Sequence, residues 1–284
     1  MTENQTQPKS GSHDAMTPEE HLAEVLASYD GSPNARLQEI TKSLVTHLHR
    51  FVAEVGLTRE EWLMGIEALT RTGQMCSDER QEFILLSDTI GVSMLVEMIN
   101  HQAAAGSTEP TVFGPFHIDG APRREMGDSI VAHPMDTDEA VVFRGTVKNL
   151  AGDVVAGAEL DVWSTASNGK YDVQDPDQVG LNMRGIYTTG PDGSYEIAAV
   201  RPVDYTIPGD GPAGDLLFEN GRHNWRPAHL HVVVSAPGYK TVITHLFDGD
   251  SRYLESDAVF GVRDSLVVDM NGGTCDHDFV LAET

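Results

Sequence analysis

The chain has 284 residues, 44 acidic against 19 basic, and a formal charge of -25. That length can bury a sizeable core, and so negative a surface repels phosphate backbones and anionic membranes, which excludes nucleic acid as an expected partner. No basic-then-apolar leader opens the sequence, its most apolar helical stretch (83–99) is interrupted by Ser87, Asp88, Ser93 and Glu97, and its two cysteines, Cys76 and Cys275, lack metal-ligand spacing; a cytoplasmic protein with reduced thiols and no membrane span is expected.

Residues 1–16 are polar and without apolar periodicity, the composition of a disordered tail. Thr17-Pro18-Glu19-Glu20 then combines an N-cap, a proline suited to the first helical position and a capping-box glutamate, and Ser32-Pro33 repeats the device. Leu37, Ile40, Leu44, Leu48, Phe51 and Val55 recur at spacings of 3, 4, 4, 3 and 4, the stripe of an amphipathic helix that buries one face, and Gly56 ends it. A second capping box at Thr58 and Glu61 leads a helix to about Thr72, closed by Gly73. Ser77-Asp78 starts the longest helix, running to about Ala104, with Leu85 and Asp88 on one face; a solvated aspartate is the plainer account of Asp88. These four elements make a helical subdomain, 17–105. The segment 110–116, with two prolines and a glycine around Phe113 and Phe116, is extended and stiff, either a pocket wall or a linker.

From about Val141 the apolar period changes to 2. Strands are expected at 141–147, 158–165, 185–189, 194–198, 205–208, 229–235, 242–247, 264–270 and 278–281, with turns at 151–153, 191–193 and 271–273. Short strands without intervening helices argue for an antiparallel β-sandwich over 106–284, so the fold class is mixed and mainly β.

The segment 221–239 reads GRHNWRPAHLHVVVSAPGY. In a strand, His229 and His231 point to one face and present two imidazoles side by side, a metal-site geometry, although such pairs also occur as ordinary polar residues on a solvated face. Further donors are needed. Cysteine spacing rules out thiolates, no glutamate follows the pair as a cupin-like site requires, and no local carboxylate stands out for a ferrous facial triad. Tyr171 and Tyr205 sit at loop edges that can aim a ring at a shared centre. A free phenol titrates near about 10, so only a hard, highly charged cation such as Fe(III) holds it ionised at neutral pH; amphipathic rings at strand edges are also common without any metal.

Four segments together, YTIPGDGP at 205–212, GRHNWRPAHLH at 221–231, APGY at 236–239 and the stretch from Gly249-Asp250 through Tyr253-Leu254 to Asp257, resemble the intradiol ring-cleaving dioxygenases. The likeness runs from about residue 20 to 280 and is greatest to the branch acting on hydroxyquinol. It implies non-haem Fe(III) held by Tyr171, Tyr205, His229 and His231, with Tyr205 and Arg226 catalytic. It implies a substrate pocket of Leu85, Asp88, Val112, Phe113, Gly114, Pro115, Phe116, Ile207, Pro208, Arg226 and Val259. The implied reaction opens benzene-1,2,4-triol with O2 to 3-hydroxymuconate, equivalent to maleylacetate; catechol and chlorocatechol are the alternative substrates. Ser164 and His245 depart from residues frequent in relatives. The resemblance further implies a homodimer formed through the helical subdomain, with phospholipid as a possible guest at the interface. Residues 145–152 and 189–195 also resemble the strands and turns of transthyretin-like sandwiches, so a non-catalytic binding module is the reading from another class; it has no need of both tyrosines and both histidines together.

Overall fold

The computed structural model describes residues 16–77, 80–100, 104–178 and 180–284, in two compact units, residues up to 67 and residues 68–284. The expected tail, apart from Met16, and the expected helix start at Asp78 lie outside the described residues.

In the first unit, α1 (Pro18–Ala27) begins at the anticipated capping box: Thr17 Oγ1 accepts from the Glu20 amide at 3.2 Å, and Glu20 accepts from the Thr17 amide at 2.8 Å. The start of α2 (Ala35–Val55) corrects the expectation at Ser32-Pro33. The side-chain oxygen of Asn34 reaches the Leu37 amide at 3.0 Å, so Asn34 is the cap. Gly56, at φ 60°, ends α2 as expected. The α2 stripe does not behave as expected. Leu37, Ile40, Leu44, Leu48, Phe51 and Val55 are 48–57% exposed, because among the described residues of this unit nothing covers that face. The capping box at Thr58 opens α3 (Arg59–Gln74), which crosses the division at residue 67 and runs through Gly73; that glycine is not in the left-handed conformation that stops α2 at Gly56.

In the second unit the expected long helix is two helices, α4 (Glu82–Thr89) and α5 (Val92–Asn100), separated at Gly91, whose φ of 75° no continuous helix permits. The strands that follow are β1 (Ala140–Asn149), β2 (Glu159–Trp163), β3 (Arg184–Thr188), β4 (Ser194–Val200), β5 (Tyr205–Thr206), β6 (Trp225–Arg226), β7 (His229–Ser235), β8 (Val242–Asp248), β9 (Val267–Val268), β10 (Thr274–Asp276) and β11 (Phe279–Leu281), with one further helix, α6 (Pro212–Glu219), between β5 and β6. The short β6 and β10 and helix α6 were not anticipated.

The expected antiparallel sandwich is corrected to two mixed sheets. One has β1 at its centre, antiparallel to β4 on one edge and parallel to β10 and then β11 on the other. The second runs β3-β2-β7-β8-β9, antiparallel except for the parallel pair β8 and β9. A parallel pair needs a crossover of a dozen residues or more. Here the whole second sheet lies between β1 and β10, and the loop 249–266 lies between β8 and β9. Val141, Phe143 and Val147 of β1 and Ile197 of β4 pack in one buried cluster with Leu160 and Val162 of β2 and Leu230, Val232 and Val234 of β7, so both sheets contribute to one core.

Strand alternation then sets the site. With Leu230, Val232 and Val234 committed to that core, His229 and His231 face the other side of the sheet. There a second buried cluster gathers Leu85, Met94, Val112, Phe116, Trp163, Tyr171, Tyr205, Ile207 and Val259.

Candidate metal centre

Four side chains from three parts of the second unit converge. His229 and His231 come from β7, Tyr205 from β5 and Tyr171 from the residue before a single 3-10 turn, 172–174. All four are at most 5% exposed. The Tyr171 hydroxyl lies 2.9 Å from His231 Nε2 and 3.3 Å from the Tyr205 hydroxyl, and the two Nε2 atoms are 3.1 Å apart. At the usual ligand distance of about 2.1 Å, two donors at right angles about one ion stand about 3.0 Å apart, so these separations match a set of ligands around a single cation.

The chemistry of each donor fits. His229 donates its Nδ1–H to the Pro227 carbonyl at 2.7 Å, which leaves Nε2 as the lone pair directed inward. Burial, with the Arg226 charge, pushes both His229 and His231 well below the ordinary histidine range, so both are neutral as ligands must be. Burial and the neighbouring Tyr205 push the Tyr171 phenol well above its ordinary range, against the opposing charges of Arg226 and Arg184. A phenol in that position ionises only if a cation stands at the centre.

The surroundings fix each ring. Trp163 stacks on His231 at 4.5 Å and 12°, and Phe116 stacks on Tyr171 at 4.5 Å. Gly114 is required where it is: its φ is 76°, and a Cβ there would meet His231 Cε1 at 3.2 Å. Behind Tyr171, Asp172 and Arg184 form a buried pair at 2.5 Å that anchors the turn; removing one member of such a pair costs about 3–5 kcal/mol.

Arg226 pairs in register with Tyr205 across β5 and β6. Its Nη1 lies 3.3 Å from the Tyr205 hydroxyl and 3.2 Å from His229 Nε2, while Nε and Nη2 donate to the two Asp257 oxygens at 3.0 and 3.2 Å. Burial works against its charge, but the Asp257 carboxylate together with the Tyr205 and Tyr171 oxygens outweighs burial and holds the guanidinium charged.

Leu85, Asp88, Val112, Gly114, Pro115, Phe116, Ile207, Arg226 and Val259 line one pocket that also touches Tyr205 and His231. Two expected lining residues are elsewhere. The Phe113 ring turns to Trp163 and His117, at 5.7 and 4.7 Å, and Pro208, half-buried beyond the end of β5, does not line this pocket. Asp88 is 4% exposed, and burial pushes its carboxyl up, partly opposed by Ser93 and Arg226.

Sequence reasoning did not assign roles to Asp257, Trp163 or His245. Asp257 closes a motif that carried the resemblance, which was its signal; Trp163 had none. His245 sits opposite His231 in the β7–β8 register, against the rings of His231 and His229 at 4.1 and 4.5 Å. Burial, followed by the neighbouring His231 and His229, pushes it far below the usual range; the Val112 backbone opposes this slightly, yet neither ring nitrogen completes a hydrogen bond. With His229 and His231 it forms a group whose ligand atoms lie within 4.8 Å of one another, a looser set than the two-tyrosine, two-histidine arrangement.

Residues 112–280 match the family described as Dioxygenase, and residues 34–108 match the one described as Catechol dioxygenase N terminus. The chain is 48% identical to 6-chlorohydroxyquinol 1,2-dioxygenase of Cupriavidus pinatubonensis over 92% of its own length and 95% of that protein's. It is 40% identical to catechol 1,2-dioxygenase of Candida albicans over 83% of its length and 79% of that protein's. Among solved structures it is similar to hydroxyquinol 1,2-dioxygenase from Pseudomonas putida, with a TM-score of 0.88 and 45% identity, covering 94% of this chain and 99% of that one.

Proposed function

The chain belongs to the intradiol ring-cleaving dioxygenases, and from that premise we propose that it opens hydroxyquinol, benzene-1,2,4-triol, between its vicinal hydroxyls. Both atoms of O2 enter the product, 3-hydroxymuconate, equivalent to maleylacetate. The observation that carries this reading is the pairing of four convergent donors with a buried carboxylate, Asp88, in the wall of the adjoining pocket.

Tyr171, Tyr205, His229 and His231 would hold non-haem Fe(III), a Lewis acid that favours ionisation of a bound diol and makes its ring electron-rich toward O2. Tyr205, ionised in the loaded site, would be the phenolate placed to accept a substrate hydroxyl proton and become a neutral phenol, since it lies at the pocket wall with its oxygen against Arg226. Arg226, held charged and oriented by Asp257, stabilises the negative charge that develops on the ring. Leu85, Val112, Phe116, Ile207 and Val259 grip the ring and exclude water. Asp88 accepts a hydrogen bond from the third hydroxyl, which catechol lacks.

Oxygen uptake with each diol tests the reading. Hydroxyquinol should consume one O2 per molecule, with a kcat/KM at least about tenfold above that for catechol; a tenfold preference for catechol, the activity named for the Candida relative, would sink the assignment.

The exposed α2 stripe supports a homodimer in which a second copy covers Leu37, Ile40, Leu44 and Leu48, an interface apolar enough to accept a phospholipid chain as well. Sedimentation should give twice the chain mass, and Leu44→Glu with Leu48→Glu should give the single mass; a monomer before substitution would refute it. No helix among the described residues is long and apolar enough to cross a membrane. Both cysteines are free, and a cytoplasmic location is proposed on that ground.

A further inference from the structure

Where α4 stops at Thr89, the last carbonyls of the helix lose their partners. Arg222 Nη1 donates to the Thr89 carbonyl at 2.6 Å, placing a cation at the negative end of the helix, and Arg222 Nη2 donates to the Ala258 carbonyl at 2.9 Å. Thr89 follows Asp88, and Ala258 precedes Val259, so one planar guanidinium joins two walls of the substrate pocket. A guanidinium holds its donors in a rigid fork, which fixes the separation of the two carbonyls.

Two further residues, Phe260 and Asp257, support the same junction. Phe260 has a φ of 60°, a conformation a bulky residue keeps only where its surroundings impose it. Its ring lies under the Arg222 guanidinium at 4.7 Å and against Gly91, where a Cβ would be 3.4 Å from the ring. The break between α4 and α5 is therefore the seat of Phe260. From the other side, Asp257 holds the same loop: it accepts from the amides of Val259 and Gly261 at 3.3 and 2.9 Å and binds Arg226. Two arginines four residues apart thus fasten the 257–261 loop, Arg226 beside the donors and Arg222 beyond them.

We propose that Arg222 is a positioning residue for substrate discrimination, setting the distance between Asp88 and Val259 and so the fit of the third hydroxyl. The inference rests on the hydroxyquinol reading. Arg222 makes no hydrogen bond to the four donors, so Arg222→Met should keep its iron content and its visible spectrum. Its kcat/KM for hydroxyquinol should fall about tenfold, mainly through KM, while that for catechol changes less than about threefold. Arg222→Lys, which restores the charge without the fork, should recover KM only in part and also serves if the methionine variant does not fold. Hydrogen exchange of peptides spanning 84–92 and 257–261, measured without substrate, should be faster in either variant.

An unchanged selectivity ratio, or a parallel loss on both diols through kcat, would overturn the assignment. If the unsubstituted protein fails to oxygenate hydroxyquinol, the functional reading has failed; the exchange experiment then judges the clamp alone, and unchanged exchange in both variants overturns it.

Discussion

Replacing Tyr171 by Phe is expected to yield a folded protein whose kcat falls on the order of a thousandfold or more, since a metal site loses one of its two anionic ligands. The substitution removes only an oxygen. The ring stays stacked on Phe116 and enclosed, and the hydroxyl's partners are the other donors, not the surrounding core. Folding should therefore survive while the metal site does not. Oxygen uptake, metal analysis and circular dichroism on one preparation separate the two effects. Activity within tenfold of the unsubstituted protein would show that Tyr171 is only a packed aromatic.

Asp88→Ala is expected to change which diol is preferred. A hydrogen bond to a charged acceptor contributes about 1.5–3 kcal/mol, so hydroxyquinol kcat/KM should fall roughly 10- to 100-fold. Catechol has no third hydroxyl to leave unpaired, and loss of a carboxyl that burial already disfavours as an anion should leave its kcat/KM unchanged or raised. Steady-state kinetics on both substrates check this. Equal losses would place Asp88 in a purely structural role.

How much the sequence discloses depends on the range of the interaction. His229 and His231 were legible from strand alternation alone, because period 2 decides which side chains share a face. The capping boxes at Thr17 and Thr58 and the stop at Gly56 were equally local. Residues 89–91 gave the opposite result. Gly91 inside an apolar run reads as a tolerated helix residue, and only Arg222 and Phe260, more than 130 positions later, explain why the chain breaks there. The parallel pairing of β10 and β11 with β1 was hidden for the same reason, since short strands between turns suggest hairpins and the crossover is a whole sheet. Tyr171 and Tyr205 stood as two among several edge aromatics until resemblance put them in order with the histidines. Asp257 shows the residual gap: its motif was visible, but its bidentate grip on Arg226 depends on a fold that brings residues 31 positions apart into contact.

Two phenolates and two imidazoles are proposed to bind one ferric ion in contact with the diol pocket. The visible spectrum of the iron-loaded protein tests this most directly, recorded before and after hydroxyquinol is added without oxygen. Tyrosinate-to-Fe(III) charge transfer should make the protein red, and the band should change when substrate binds. A colourless protein containing one iron per chain, or a band indifferent to hydroxyquinol, would contradict the account.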